Sequence, residues 1–199
     1  RVLIPRPETE HLVEAALALD LPASPRILDL GTGSGAIGLA VAHELPRRGT
    51  TVWITDASAD ALDVARANIA GIGPAGANVR VALGSWFDAL PTDVTADVIV
   101  ANPPYVAADS PDLAAEVGEW EPHGALFAGP DGLDDIRRIV DGAGDRLAPG
   151  GWLVIEIGSD QGAAVGDLLR SAGYLDVEIR PDLAGHDRIA LARTPARSR

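Results

Sequence analysis

Hydrophobic spacing divides the chain into short segments of two kinds, some with apolar residues three and four apart and some with continuous apolar runs. Leu12, Val13, Ala16 and Leu17 line one face of a helix over residues 9–19, with Thr9 as a candidate cap. Residues 26–30 read as a short buried strand, the glycine cluster 31–35 as a turn, and 36–45 as an apolar helix. A second strand over 51–55 ends at Asp56, and residues 58–69 carry Leu62, Ala65 and Ile69 on one helical face. After a glycine-rich loop at 71–76 come a third strand at 79–83 and a fourth at 96–101. The fourth runs into Asn102 and is ended by Pro103-Pro104. Residues 106–130 have weak periodicity and breakers at Pro111, Gly118, Pro122 and Gly124, so they read as a loop with a short helix. A helix at 133–147, a strand at 151–157, a helix at 163–172 and strands at 175–180 and 188–192 complete the pattern.

Alternating strands and helices predict an α/β fold, a mostly parallel sheet covered by helices on both faces. Too few residues separate the last two strands for a parallel crossover, so the final strand is expected to be antiparallel. No repeat, linker or second domain interrupts the pattern, and residues 1–199 read as one domain. Ligands bind such sheets at the carboxyl ends of the strands. The glycine turn after the first strand and Asn102-Pro103-Pro104-Tyr105 after the fourth both fall on that edge, where they would line one cleft.

Composition narrows the chemistry. Cysteine is absent, which removes disulfides, thiolate metal sites and cysteine nucleophiles, and the four histidines lack ligand spacing, so no metal is expected. No apolar run reaches the ~18 residues of a membrane span and no secretory signal opens the chain, which makes the cytoplasm the default compartment. Sixteen basic against twenty-nine acidic residues leave a net charge of −13, a field that repels duplex phosphate and disfavours a nucleic-acid substrate. The same charge would serve solubility alone. The chain has no methionine and begins at Arg1, directly before an apolar Val-Leu-Ile run, as expected of a fragment whose upstream part is not represented.

Asp29-Leu30-Gly31-Thr32-Gly33-Ser34-Gly35 has the character of a nucleotide-binding loop, in which missing Cβ atoms let a ligand approach the backbone and a helix N-terminus offers its amides. Gly33-Ser34-Gly35-Ala36-Ile37-Gly38 also matches the dinucleotide pattern literally, which keeps NAD open, and a plain strand-to-helix turn would need similar glycines. Asp56 ends the second strand where an acid can accept both ribose hydroxyls of an adenosine, a role equally useful to NAD and S-adenosylmethionine. A helix cap before Ala57-Ser58 is the simpler use of the same residue.

Asn102-Pro103-Pro104-Tyr105 separates these readings. Two prolines after a buried strand make a stiff elbow for which a dehydrogenase has no evident use, although a strand-ending turn would also tolerate them. The Asn102 side-chain oxygen and the Pro103 carbonyl can each accept one N–H of a planar amide or aromatic amine, leaving the nitrogen's out-of-plane face to an electrophile. Tyr105 can pack flat on the substrate plane. An amide nitrogen is a poor nucleophile, and accepting both its N–H bonds favours charge build-up on nitrogen while an electrophilic methyl is held in line. No general base is obligatory in this scheme.

Taken in order, Ile4-Pro5-Arg6-Pro7-Glu8-Thr9-Glu10, the glycine loop, Asn102-Pro103-Pro104-Tyr105, Glu121-Pro122, Ala125-Leu126, Gly129, Asp131-Gly132-Leu133, Glu156-Ile157-Gly158, Gln161 and Gly185-His186-Asp187-Arg188 make the chain resemble the HemK family of release factor glutamine methyltransferases. That resemblance spans essentially the whole sequence. It implies a class I S-adenosylmethionine-dependent methyltransferase fold (Rossmann-like), with a seven-stranded, mostly parallel sheet and an antiparallel last strand. It implies methyl transfer to N5 of the glutamine in the Gly-Gly-Gln loop of peptide-chain release factors, with S-adenosylhomocysteine as product. Gly31, Thr32, Gly33, Ser34 and Gly35 would hold the cofactor's methionine part, Asp56 its ribose, and Trp86 would lie by the adenine unless it is simply a core aromatic. Asn102, Pro103, Pro104 and Tyr105 would hold the glutamine amide, with Asn102 also bordering the cofactor and Asn102, Pro103 and Tyr105 acting in catalysis. Methylation of an exocyclic amino group of adenine or guanine in DNA or RNA is the alternative that uses the same grip. Family members commonly carry an acid where Ser85 stands, so adenine recognition is expected to be weaker or differently supplied. They also carry a helical N-terminal docking domain, expected to be absent from this chain.

Overall fold

The near-continuous apolar runs of β1 (Arg26–Leu30) and β4 (Ala96–Ala101) pair with each other in the middle of a parallel sheet, where a strand must be apolar on both faces. The computed structural model describes residues 2, 9–45, 49–107 and 127–196. Its remaining strands are β2 (Thr51–Asp56), β3 (Val79–Leu83), β5 (Leu147–Glu156), β6 (Leu175–Pro181) and β7 (Asp187–Arg193). The helices are α1 (Thr9–Leu17), α2 (Ala36–Glu44), α3 (Ala59–Gly71), α4 (Asp134–Arg146) and α5 (Gly162–Ser171). The seven-stranded order is β3-β2-β1-β4-β5-β7-β6, parallel except for β7, which runs against both of its neighbours.

Side-chain alternation sends each strand's residues into two cores. Leu28 and Leu30 of β1 and Ile99 of β4 pack with Ile136 and Ile139 of α4 and Leu169 of α5. Ile27, Val98 and Val100 face Leu12 and Ala16 of α1, Leu39 and Val41 of α2, and Ala65 of α3. After β1 the chain moves outward through β2 to β3, then returns to place β4 on β1's other side. This reversal between β1 and β4 opens a crevice at their carboxyl ends. Leu30 pairs with Ala101, so the glycine turn and Asn102 leave adjacent strands at the same level.

The pattern-based elements recur with shifted ends. Ser58 is the cap of α3, its hydroxyl accepting from the Ala61 amide at 3.2 Å, and the helix runs on to Gly71. The stretch expected to be a loop at 71–76 is instead the end of α3 and a tight helical turn over Gly73–Asn78. β5 starts at Leu147, not at residue 151, because Leu147 already pairs with Ala96 before the register shifts ahead of Val98. A single helical turn, Trp86–Ala89, forms where periodicity offered no signal. The short helix expected within 106–130 falls mostly in residues 108–126, outside the described residues, as do residues 4–8 of the opening motif. Val106 and Phe127 on either side pair with each other.

Candidate active site

Three glycines within five residues adopt left-handed backbone: Gly31, Gly33 and Gly35 have φ of 64°, 57° and 85°. A side chain at any of them would be strained, and this conformation turns β1 sharply into α2. The loop is tied down from below. Asp29 Oδ2 accepts from the Thr32 hydroxyl and from the Gly38 amide at 2.9 Å, and the Thr32 amide donates to the Thr55 carbonyl at 2.9 Å. Gly38 completes the dinucleotide-like spacing for a packing reason, since a Cβ there would lie 2.5 Å from Ile54 Cγ2. Helix-to-sheet contact therefore accounts for that third glycine without a dinucleotide.

Asp29 is fully buried, and burial pushes its carboxyl up to about 7, against the pull of the Thr32 and Gly38 hydrogen bonds and with a small push from Asp56. Among the described residues its Oδ1 has no hydrogen-bond partner. A buried carboxylate oxygen left without a partner is costly, and a cationic group brought by a ligand would relieve it. The Gly33 Cβ position is open, with nothing within 4 Å.

Asp56, at the end of β2, accepts from the Gly33 amide through Oδ2 at 2.9 Å and from the Ser58 amide through Oδ1 at 2.8 Å. It thus braces the glycine turn, and capping of α3 falls to Ser58. Trp86 has φ of 44°, a left-handed conformation that costs a bulky residue free energy. The strained turn brings its indole against Gly31, where an added Cβ would sit 3.0 Å from the ring. Trp86 is half-buried and touches the core, so it is both a core aromatic and a wall of the glycine turn. Ser85 is exposed and caps nothing.

Across the crevice, Pro103 is buried while Asn102, Pro104 and Tyr105 are half-buried. Asn102 Nδ2 donates to the Thr9 hydroxyl at 3.3 Å, and that hydroxyl donates to Glu156 Oε2 at 3.0 Å. Thr9, expected as a helix cap, instead turns its hydroxyl toward the sheet edge. Gln161, buried at the start of α5, holds the turn from below. Its Nε2 donates to the Tyr105 carbonyl at 3.0 Å and the Gly132 carbonyl at 3.2 Å, and its Oε1 accepts the Gly158 amide at 2.9 Å. Gly132 permits the approach, since a Cβ there would meet the Tyr105 carbonyl oxygen.

The glycine turn, Asp56, Trp86 and Asn102 through Tyr105 therefore all meet on one sheet edge. Asp29, Thr9, Glu156, Gln161 and Gly132 join them there without having been assigned site roles from the sequence. Asp29 carried a signal, as a charged residue inside a buried strand, whereas the partners of Thr9 lie 93 and 147 positions away. The closing segment Gly185-His186-Asp187-Arg188 builds the β6–β7 turn on the same edge: Asp182 takes the Ala184 and His186 amides and pairs with Arg188 at 3.2 Å. A concavity of about 340 Å³ beside Leu147, Tyr174 and Pro195 lies where β5 begins, at the other edge, and gathers none of these residues. No described helix is long and apolar enough to cross a membrane.

Residues 9–117 match the methyltransferase small domain family model. Over 96% of this chain and 68% of its own length, a release factor glutamine methyltransferase of Neisseria gonorrhoeae is 50% identical. The crystal structure of the release-factor-specific protein-(glutamine-N5) methyltransferase of Alicyclobacillus acidocaldarius superposes with a TM-score of 0.57 at 29% identity, covering 96% of this chain and 94% of that one. A methyltransferase from Pyrococcus furiosus shares the fold, with a TM-score of 0.70 at 20% identity over 99% of this chain and 86% of that one. The cofactor of such enzymes is S-adenosylmethionine, and the residues present suit it: open space at Gly33, a buried Asp29 oxygen without a hydrogen-bond partner among the described residues, an acid bonded to the Gly33 amide and an indole against Gly31. The fold, the glycine turn set beside Asn102-Pro103-Pro104-Tyr105, and half-identity along nearly the whole chain place this protein in the release factor glutamine methyltransferase family.

Proposed function

We propose that this chain transfers the methyl group of S-adenosylmethionine to the side-chain amide nitrogen N5 of the glutamine in the Gly-Gly-Gln loop of a peptide-chain release factor. The observation that carries this reading is the register of β1 on β4, which sets the cofactor cradle beside a turn able to accept both N–H groups of an amide. When bound, the cofactor supplies a sulfonium-activated methyl group. Gly31, Thr32, Gly33, Ser34 and Gly35 hold its methionine part, Asp29 meets its ammonium, Asp56 its ribose, and Trp86 lies by its adenine. Asn102 Oδ1 and the Pro103 carbonyl accept the glutamine N–H bonds, and Tyr105 packs on the amide plane. Those two acceptors concentrate electron density on the nitrogen as the carbon bond forms, a preorganised electrostatic effect. A proton leaves the nitrogen as it becomes acidic, to water or a carbonyl of the turn.

The net charge of −13 supports a protein over a polyphosphate substrate, and a release-factor substrate supports the cytoplasm as the compartment. Incubating the chain with methyl-labelled cofactor and either a release factor or duplex DNA and RNA tests the reading. Label is expected in the release factor alone, and label in nucleic acid alone would overturn it in favour of base-amino methylation.

A further inference from the structure

Asn102 can grip an amide nitrogen only if its side chain presents oxygen, not NH₂, to the substrate. The two ends of a carboxamide have nearly the same shape, so packing alone distinguishes them poorly, and hydrogen bonding has to make the choice. Resting on the glutamine reading above, we propose that Glu156 and Thr9 make it: they are positioning residues that lock the Asn102 amide with Oδ1 free for the substrate.

Glu156, Thr9 and Asn102 form one hydrogen-bonded chain with few protons to share. Glu156 is 1% exposed and Thr9 is 6% exposed, so water does not scramble the order. In this contact the Glu156 carboxyl is the acceptor, and a hydroxyl has a single proton to give. Thr9 spends that proton on Glu156 Oε2 at 3.0 Å. Toward Asn102 it therefore offers only lone pairs, and at 3.3 Å only the Nδ2 end of the amide can satisfy them. A flipped Asn102 would set two oxygens against each other without a hydrogen between them. Glu156 belongs to β5, Thr9 opens α1 and Asn102 follows β4, so three separate elements converge to fix one rotamer. Neither Thr9 nor Glu156 has to touch the substrate for this to work.

The test compares Thr9→Val, Thr9→Ser and Glu156→Gln with the wild-type chain, using thermal melting and S-adenosylhomocysteine affinity to certify folded protein. Valine keeps the branched shape but can neither give nor take a hydrogen bond. Glutamine at 156 can donate to the threonine, freeing its proton for the wrong end of the Asn102 amide. Thr9→Val is expected to lower kcat about tenfold, the worth of one oriented hydrogen bond, with S-adenosylhomocysteine affinity within about twofold of wild type. Thr9→Ser should restore most of the rate, and Glu156→Gln should behave like Thr9→Val. In parallel, the Asn102 side-chain NH₂ resonances, assigned by their loss in Asn102→Ala, should show one hydrogen-bonded proton in wild type and Thr9→Ser that moves to the free-amide position in Thr9→Val. Unchanged Asn102 resonances together with wild-type kcat in Thr9→Val would overturn the inference. The resonances report on the lock whatever the substrate proves to be, so a wild-type chain inactive on release factors would sink the glutamine reading while leaving Thr9 and Glu156 to be judged by them.

Discussion

Asn102 and Asp29 carry opposite burdens on the two sides of one crevice. Asn102 should act chiefly on the transition state, so Asn102→Ala is expected to leave S-adenosylhomocysteine affinity nearly unchanged and to cut kcat by about 10²-fold or more in a steady-state methylation assay. Asp29 is a matter of proton linkage. Its folded carboxyl titrates near 7 because it is buried, whereas in the unfolded chain it titrates near ~4. The folded state thus holds a proton that the unfolded state has released, so this contribution is complete below about pH 4 and is lost as pH rises to 7. Asparagine removes the titration. In urea melts of the cofactor-free protein, Asp29→Asn should gain stability relative to wild type between pH 4 and 7, by up to about 4 kcal/mol. A difference that stays flat over that range would mean Asp29 does not hold its proton. At this scale the position of the Asn102 turn on the sheet edge was readable in the sequence, because Asn-Pro-Pro-Tyr directly after a buried strand has an unusual shape. The orientation of Asn102 was not, because it depends on hydroxyl and carboxylate groups brought together only by the fold.

Among the elements, the glycine turn and the Asn102 turn are held by different means. Backbone geometry and Asp29 shape the first, while the second hangs on the side chain of Gln161. Gln161→Leu keeps the volume but removes the hydrogen bonds that Gln161 makes to the Tyr105 and Gly132 carbonyls and the Gly158 amide. A stability loss of about 1–3 kcal/mol is expected in denaturant unfolding, with faster hydrogen exchange at the Gly158 amide. Strands and helices were legible here because continuous apolar runs and three-and-four spacing differ plainly. Less legible was whatever depended on a partner strand or a strained residue. β5 begins early because Leu147 finds Ala96, and Trp86 bends into a left-handed turn that its own propensity opposes.

For the molecule as a whole, topology does what no local motif could. Two turns 71 positions apart, at Gly31 and Asn102, become neighbours because the chain reverses between β1 and β4. Repeated β/α units predicted that they would share an edge, but not the register that sets them level. The acidic charge then bears on which substrates approach, and under the proposed function the turn selects the nitrogen that is gripped. Mapping the methyl group at residue level tests this most directly: react the chain with S-adenosylmethionine and a release factor, digest the product, and locate the added methyl by tandem mass spectrometry. A single methyl on the side-chain amide of the Gly-Gly-Gln glutamine, lost when Asn102→Ala replaces the wild-type chain, is the predicted result. A methyl on any other residue, or unchanged glutamine methylation by Asn102→Ala, would contradict it.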